Sequence, residues 1–253
     1  QKGIFRVMIH NTIRMIKNYP RPFWLISFSQ FGIFYVCHGM LLFFPQILNQ
    51  VSNHNANLEL CEVVTQANFE EKNEQVESNC IDHLDFSAYL NVMILQALNL
   101  VGYILISIFV NIVGRLSIFV FILFSTGICG IAIILIKNTL IATYLYMWLL
   151  LCGVSSNLLN TVTYENFPTN LRWAKVFSYT FFSLFYIKIF FRSMAMSTTL
   201  LFGRIGALTG SNVAGILLEN SCNSLFIISA AFLFICTALA FFVSTKSSHQ
   251  DET

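Results

Sequence analysis

Long apolar segments separated by short polar connections run from Phe23 to Val243, and most of them are long enough to cross a bilayer. A helix rises ~1.5 Å per residue, so roughly 20 mostly apolar residues cross ~30 Å of hydrocarbon. The pattern predicts spans at 23–48, 87–110, 116–136, 141–162, 197–218 and 222–243. Backbone amides in lipid have no water to bond, so each segment must satisfy them internally, as a helix. A water-soluble protein with a large core is a poor fit. With 56% apolar, 15% aromatic and only 10% charged residues, too little polar surface remains to cover such a core. The fold class read from the residues is all-α, polytopic membrane protein.

The charges are sorted by segment. Residues 1–22 carry Lys2, Arg6, Arg14, Lys17 and Arg21 and no acid. The loop 49–86 carries Glu59, Glu62, Glu70, Glu71, Glu74, Glu77, Asp82 and Asp85 against a single base, Lys72. Short connections rich in Lys and Arg stay in the cytoplasm. Segment 1–22 is therefore cytoplasmic, 23–243 is the membrane unit, 49–86 is an acidic extracytoplasmic loop and 244–253 is a cytoplasmic tail. Arg115, the Glu165–Arg172 connection and Lys246 fall inside, and Lys137 alone falls outside. Nothing in this distribution suggests nucleic acid. The chain starts on Gln1, and residues 1–22 are too weakly apolar for a cleavable signal peptide, so it reads as part of a longer protein.

Seven cysteines divide by location. Cys37, Cys129, Cys152 and Cys236 lie in spans, where a small apolar packing role is the default. Cys61 and Cys80 share the outer loop and an oxidising compartment, which predicts a disulfide between them, two free thiols being the alternative. Cys222, at the outer end of the last span, is a weaker candidate partner.

No hydrolytic, redox, cofactor or metal site is legible. The histidines are scattered, and no HExxH, GxSxG or Walker loop occurs. The acids lie in the loop, the tail or, as with Glu165 and Glu219, at span ends, so no enzyme activity is expected. The exceptional residue is Arg204, near the middle of a span of small and apolar residues. A charge there costs a few kcal/mol unless it faces a polar cavity or a partner. Arg204 reads either as a cation lining a solute path or as a structural group bonded to carbonyls of a neighbouring helix. Around it Gly203, Gly206, Gly210 and Gly215 favour close helix packing. Gln30, Tyr35, Gln96, Asn99, Asn157, Asn160 and Asn212 complete the substrate-path candidates. Gln96 and Asn99, three apart, share a helix face. Singly, each amide reads more readily as an interhelical hydrogen bond; together they are what lines a hydrated cavity.

Two inner connections resemble the major facilitator superfamily. Asn111-Ile-Val-Gly114-Arg115 resembles the second-half copy of that family's (D/N)xxGR(R/K) turn, with Asn in place of the usual acid and Leu116 in place of the second base. Glu165-Asn-Phe-Pro168-Thr169-Asn-Leu-Arg172 resembles the ExxPTxxR element of sugar and organic-ion porters. In that element Pro168 ends a helix, Thr169 caps the next, and Glu165 and Arg172 form a gate-stabilising pair. Together with Ser193-Met-Ala-Met-Ser-Thr-Thr-Leu-Leu-Phe-Gly-Arg-Ile-Gly-Ala-Leu-Thr-Gly-Ser-Asn212, this element is similar to synaptic vesicle glycoprotein 2 and its insect relatives. The vertebrate proteins of that group carry a large folded domain in the outer loop, which residues 49–86 are too few to form.

The resemblance implies the six-helix C-terminal half, helices seven to twelve, of a major facilitator superfamily transporter. Its partners would be the lipid bilayer, the missing N-terminal half and a small organic solute, with no cofactor. The solute would be an organic ion or sugar-like molecule, and the location the plasma membrane or a vesicle membrane. A non-transporting membrane protein for vesicle trafficking or protein binding is the alternative. Residues 173–192 interrupt the family-like join between Arg172 and Ser193. Eight of the sixteen residues of Val176–Phe191 are Phe or Tyr, and AT-rich codons can end this stretch as a splice acceptor ends. It reads as a retained intron or gene-model error, an interfacial helix and an extra span being the alternatives.

Overall fold

The structure is a computed structural model describing residues 17, 20–53, 60–65, 86–166 and 181–247. The described residues are helical, with no strand. In chain order the helices are α1 (Pro20–Asn53), α2 (Phe86–Val113), α3 (Arg115–Leu135), α4 (Thr139–Leu150), α5 (Cys152–Asn166), α6 (Phe181–Asn220) and α7 (Cys222–Ser247). A short helical stretch at 60–65 lies between α1 and α2. Five stretches are long and apolar enough to cross a membrane: Phe23–Asn49, Arg115–Leu135, Thr139–Val162, Met196–Leu218 and Cys222–Phe241. In α2 the described apolar stretch, Gln96–Val110, is shorter, although the whole helix runs 28 residues. The chain is a multi-pass, all-helical membrane protein.

Local chemistry sets the boundaries. Gly114 alone separates α2 from α3, with φ +94° and ψ 144°. That backbone region is almost closed to residues bearing a Cβ, so the glycine of the Asn111–Arg115 turn makes the reversal possible. Asn138 caps α4: its side-chain oxygen accepts from the amides of Leu140 and Ile141 at 3.1 and 3.4 Å. The expected fourth span at 141–162 is one crossing made of two helices. At Leu151 the ladder tightens, with Leu151 N–H bonding back three residues to Trp148 and Val154 N–H to Leu151. These short-range bonds interrupt the four-residue pattern and separate α4 from α5.

α1 is the centre of the bundle, and its contacts fix the direction of the others. The tightest is with α6, where Thr199, Gly203, Gly206, Gly210, Ala214 and Leu218 form a buried stripe at spacings of three and four. A Cβ placed on Gly206 would collide with the carbonyl of Phe31, and one on Gly210 with the carbonyl of Tyr35. Gly215 faces Phe43. The order 31, 35, 43 on α1 against 206, 210, 215 on α6 means that the two helices run parallel. α7 runs the other way, with the Cys236 thiol donating to the Ser29 carbonyl at 3.8 Å and Phe232 against Tyr35. α4 is also antiparallel to α1. The Tyr146 hydroxyl donates to the Met40 carbonyl at 2.7 Å, its ring stacks on Phe44, and further on Gly153 meets Cys37.

A parallel α1 and α6 requires an odd number of crossings between them. α2, α3 and the α4–α5 unit lie between them along the chain. Residues 173–180 lie outside the described set. From Phe181 the backbone is helical and continuous with α6, so fifteen residues, or ~22 Å of helix, precede Met196.

The predicted Cys61–Cys80 disulfide is corrected. Cys61 is bonded to Cys222, with the Cα atoms 5.5 Å apart across 161 residues of sequence. Leu60, Val63 and Val64 are buried, so the segment that carries Cys61 packs onto the end of the bundle where α6 hands over to α7. Burial of those apolar side chains decided the pairing, not nearness in sequence; Cys80 lies outside the described residues. A membrane-impermeant maleimide should therefore leave Cys61 unlabelled on intact cells until a reductant is added. Cys222→Ser should make Cys61 reactive without reductant. Reaction only after permeabilisation would place the bridge on the wrong side of the membrane.

Candidate functional site

A cavity of about 300 Å³ opens between α1, α2 and the α4–α5 crossing. It lies at mid-membrane, since Cys37 and His38 are close to the centre of the Phe23–Asn49 span. α1 lines it with Ile33, Phe34, Cys37, His38 and Leu41. α2 contributes Gln96, Asn99 and Tyr103, which recur at spacings of three and four and so share one helix face. Leu150, Gly153, Val154, Ser156 and Asn157 close the third wall. The break at Leu151 turns Gly153 toward α1, where its lack of a side chain lets the Cys37 sulfur approach.

The polar groups of this cavity form a partly completed network. Tyr103 on α2 and Asn157 on α5 both line the cavity. The Ser156 hydroxyl donates to the Gly153 carbonyl at 2.7 Å, and the His38 ring lies 5.1 Å from that of Phe34. The buried Asn99 Oδ1 accepts from no group among the described residues. An amide oxygen withdrawn from water without a donor costs about 1–3 kcal/mol, so it marks a position where a polar guest gains by binding.

The structure gathers three of the sequence-predicted site residues, Gln96, Asn99 and Asn157, into this cavity and distributes the others. Arg204 is exposed on α6, three residues from the centre of the Met196–Leu218 span. Asn212 is exposed, donates to the Leu208 carbonyl at 2.7 Å and lines a second, shallower groove with Leu42, Phe43 and Ser211. Gln30 is fully buried against Gly203 in the α1–α6 contact, both its polar atoms lacking a partner among the described residues. Tyr35 sits in the core against Phe31 and Phe232, on the side of α1 that faces α7. Asn160 is half-buried, and its Oδ1 also lacks a partner among the described residues.

Of the inner motif residues, Gly114 makes the α2–α3 turn and Arg115 opens α3. The side chains of Asn111 and Glu165, and Pro168, Thr169 and Arg172 entirely, lie outside the described residues, as does the proposed gate pair. Sequence reasoning missed Cys37, His38, Tyr103 and Ser156. Tyr103 was within reach of it, because positions 96, 99 and 103 follow one helical stripe. No protein-family model, curated protein or solved structure matches the chain.

Proposed function

We propose that this chain is one six-helix half of a major-facilitator-type transporter and that it carries a small organic solute, an organic ion or sugar-like molecule, by alternating access. The mid-membrane cavity with the unpartnered Asn99 oxygen is the observation that carries the reading. Solute sites of such transporters lie near the midplane, at the face where two helix repeats meet. A wall of amides, a phenol and an imidazole suits a guest that presents several hydrogen-bonding groups. Arg204 adds independent support. An exposed guanidinium at this depth cannot face hydrocarbon without a cost of several kcal/mol, so α6 needs a second protein body or a water-filled path beside it. The missing N-terminal half would supply both.

Uptake into cells or proteoliposomes tests the reading, using the full-length protein. Asn157→Leu removes the amide from the cavity wall, and Asn99→Leu removes the unpartnered oxygen. Each should lower solute uptake by about 10- to 100-fold at low concentration, the equivalent of one or two lost buried hydrogen bonds. Surface expression should remain near that of the unsubstituted protein. Unchanged uptake in both variants would remove this cavity from the solute path.

A further inference from the structure

The three elements that wall the mid-membrane cavity carry no fixed charge. Residues 23–49, 86–114 and 139–164 include no Asp, Glu, Lys or Arg. Their one imidazole belongs to His38, and histidine is mainly neutral at pH 7. Arg204 stands on α6, and no described residue of α6 lines the cavity. A charged guest would therefore leave water for a site without a counter-charge, among the costliest of transfers for a polar group.

The hydrogen-bonding groups are one-sided as well. The buried Asn99 Oδ1 has no donor among the described residues. The Ser156 hydroxyl gives its hydrogen to the Gly153 carbonyl, so toward the cavity it can only accept. Both oxygens ask the guest for O–H or N–H groups, and a guest without them leaves the Asn99 oxygen unpaired. The α1 wall is mainly apolar, with Ile33, Phe34 and Leu41. The volume, about 300 Å³, lies at the low end for small-molecule sites. We propose that the guest is a small, uncharged polyol, its hydroxyl groups toward Asn99 and Ser156 and a C–H face toward α1. This solute is the cargo of the transport reading, on which its role rests; of the two classes named there, organic ions are refused.

Three hexoses with the same ring serve as probes: uncharged glucose, anionic glucuronate and the protonated amine glucosamine. Equilibrium binding of each radiolabelled probe to the purified full-length protein in lipid nanodiscs reads the site without reference to transport. Glucose should bind at least about 10-fold more tightly than either charged analogue, and Asn99→Leu should weaken it about 10-fold, roughly the effect of one buried hydrogen bond. Asn99→Asp puts a carboxylate in the wall at nearly constant volume and should move the preference to glucosamine. Non-reducing gel mobility reports the Cys61–Cys222 bridge and so verifies the fold of each variant. Tighter binding of a charged hexose by the unsubstituted protein would overturn the proposal. So would glucose binding that bridged Asn99→Leu and Asn157→Leu variants retain, or no binding of any of the three. Transport fails separately. A protein that binds glucose through Asn99 but moves no label into proteoliposomes keeps the polyol assignment and loses transport, whereas uptake confined to a charged hexose does the reverse.

Discussion

Gly210→Val should prevent the bundle from assembling. A Cβ at this position already meets the Tyr35 carbonyl, and a branched side chain adds two methyl groups where α1 and α6 touch backbone to backbone. Backbone cannot swing aside as a side chain tip does, so relief requires separating the two helices that make the most extensive contact of the structure. Overpacking costs typically 1–3 kcal/mol where side chains can adjust, and about 3 kcal/mol or more is expected here. In a membrane, helix association rests on close van der Waals contact, so the separation is not recovered by burying the surfaces elsewhere. Heating the detergent-solubilised chain and following aggregation, together with formation of the Cys61–Cys222 bridge, gives the readout. Gly102→Ala is the matched control: its Cβ would meet only the Leu151 side chain at an ordinary 3.8 Å. A stable, fully bridged Gly210→Val chain would mean that α1 and α6 do not pack through these glycines.

Arg204→Ala has the opposite profile, with a large effect on function and little on folding. In the full-length protein, uptake should fall to background or change its solute preference, while the amount at the cell surface is maintained. The sign of the folding effect follows from solvation. Removing a guanidinium from the middle of a span relieves an insertion penalty of roughly 2.5–3.5 kcal/mol, so the variant should insert at least as well as the parent. If Arg204 instead serves to bond a neighbouring helix, expression and thermal stability collapse together with uptake. Arg204→Lys, which keeps the charge but not the planar fork, should restore part of the uptake only where a simple positive charge is needed.

Hydropathy made five of the expected crossings legible, because bilayer thickness and the lack of water leave a chain few options. The small-residue stripe of α6 was legible too, since Gly206 and Gly210 recur at helical spacing. Its partner was not, because nothing in a run of Phe and Tyr announces that the carbonyls of Phe31 and Tyr35 are the surface approached. The same limit governs the cavity. Gln96 and Asn99 share a face by their spacing alone, but their meeting with Asn157 depends on how two helices far apart in sequence lie together. Tyr35 and Gln30 were grouped with the cavity amides on polarity. The structure turns them toward α7 and α6, because helix rotation is set by the whole apolar stripe and not by single polar residues. The Cys61–Cys80 expectation failed for a related reason: in a loop, proximity along the chain is a weak guide once an apolar segment such as 60–65 docks onto the bundle.

The Cys61–Cys222 bond also has an order in time. Its two cysteines are 161 positions apart with α2 through α6 between them, so the second thiol is made only after those helices have been synthesised. Cys61 must wait, reduced or in temporary mixed disulfides, while every helix between is inserted. The two thiols meet only if the number of insertions between them is right; one helix too many or too few puts Cys222 on the side of the membrane opposite Cys61. Closure of this bond thus follows the synthesis of α6, and a molecule that carries it has both ends of the α2–α6 stretch on one side of the membrane.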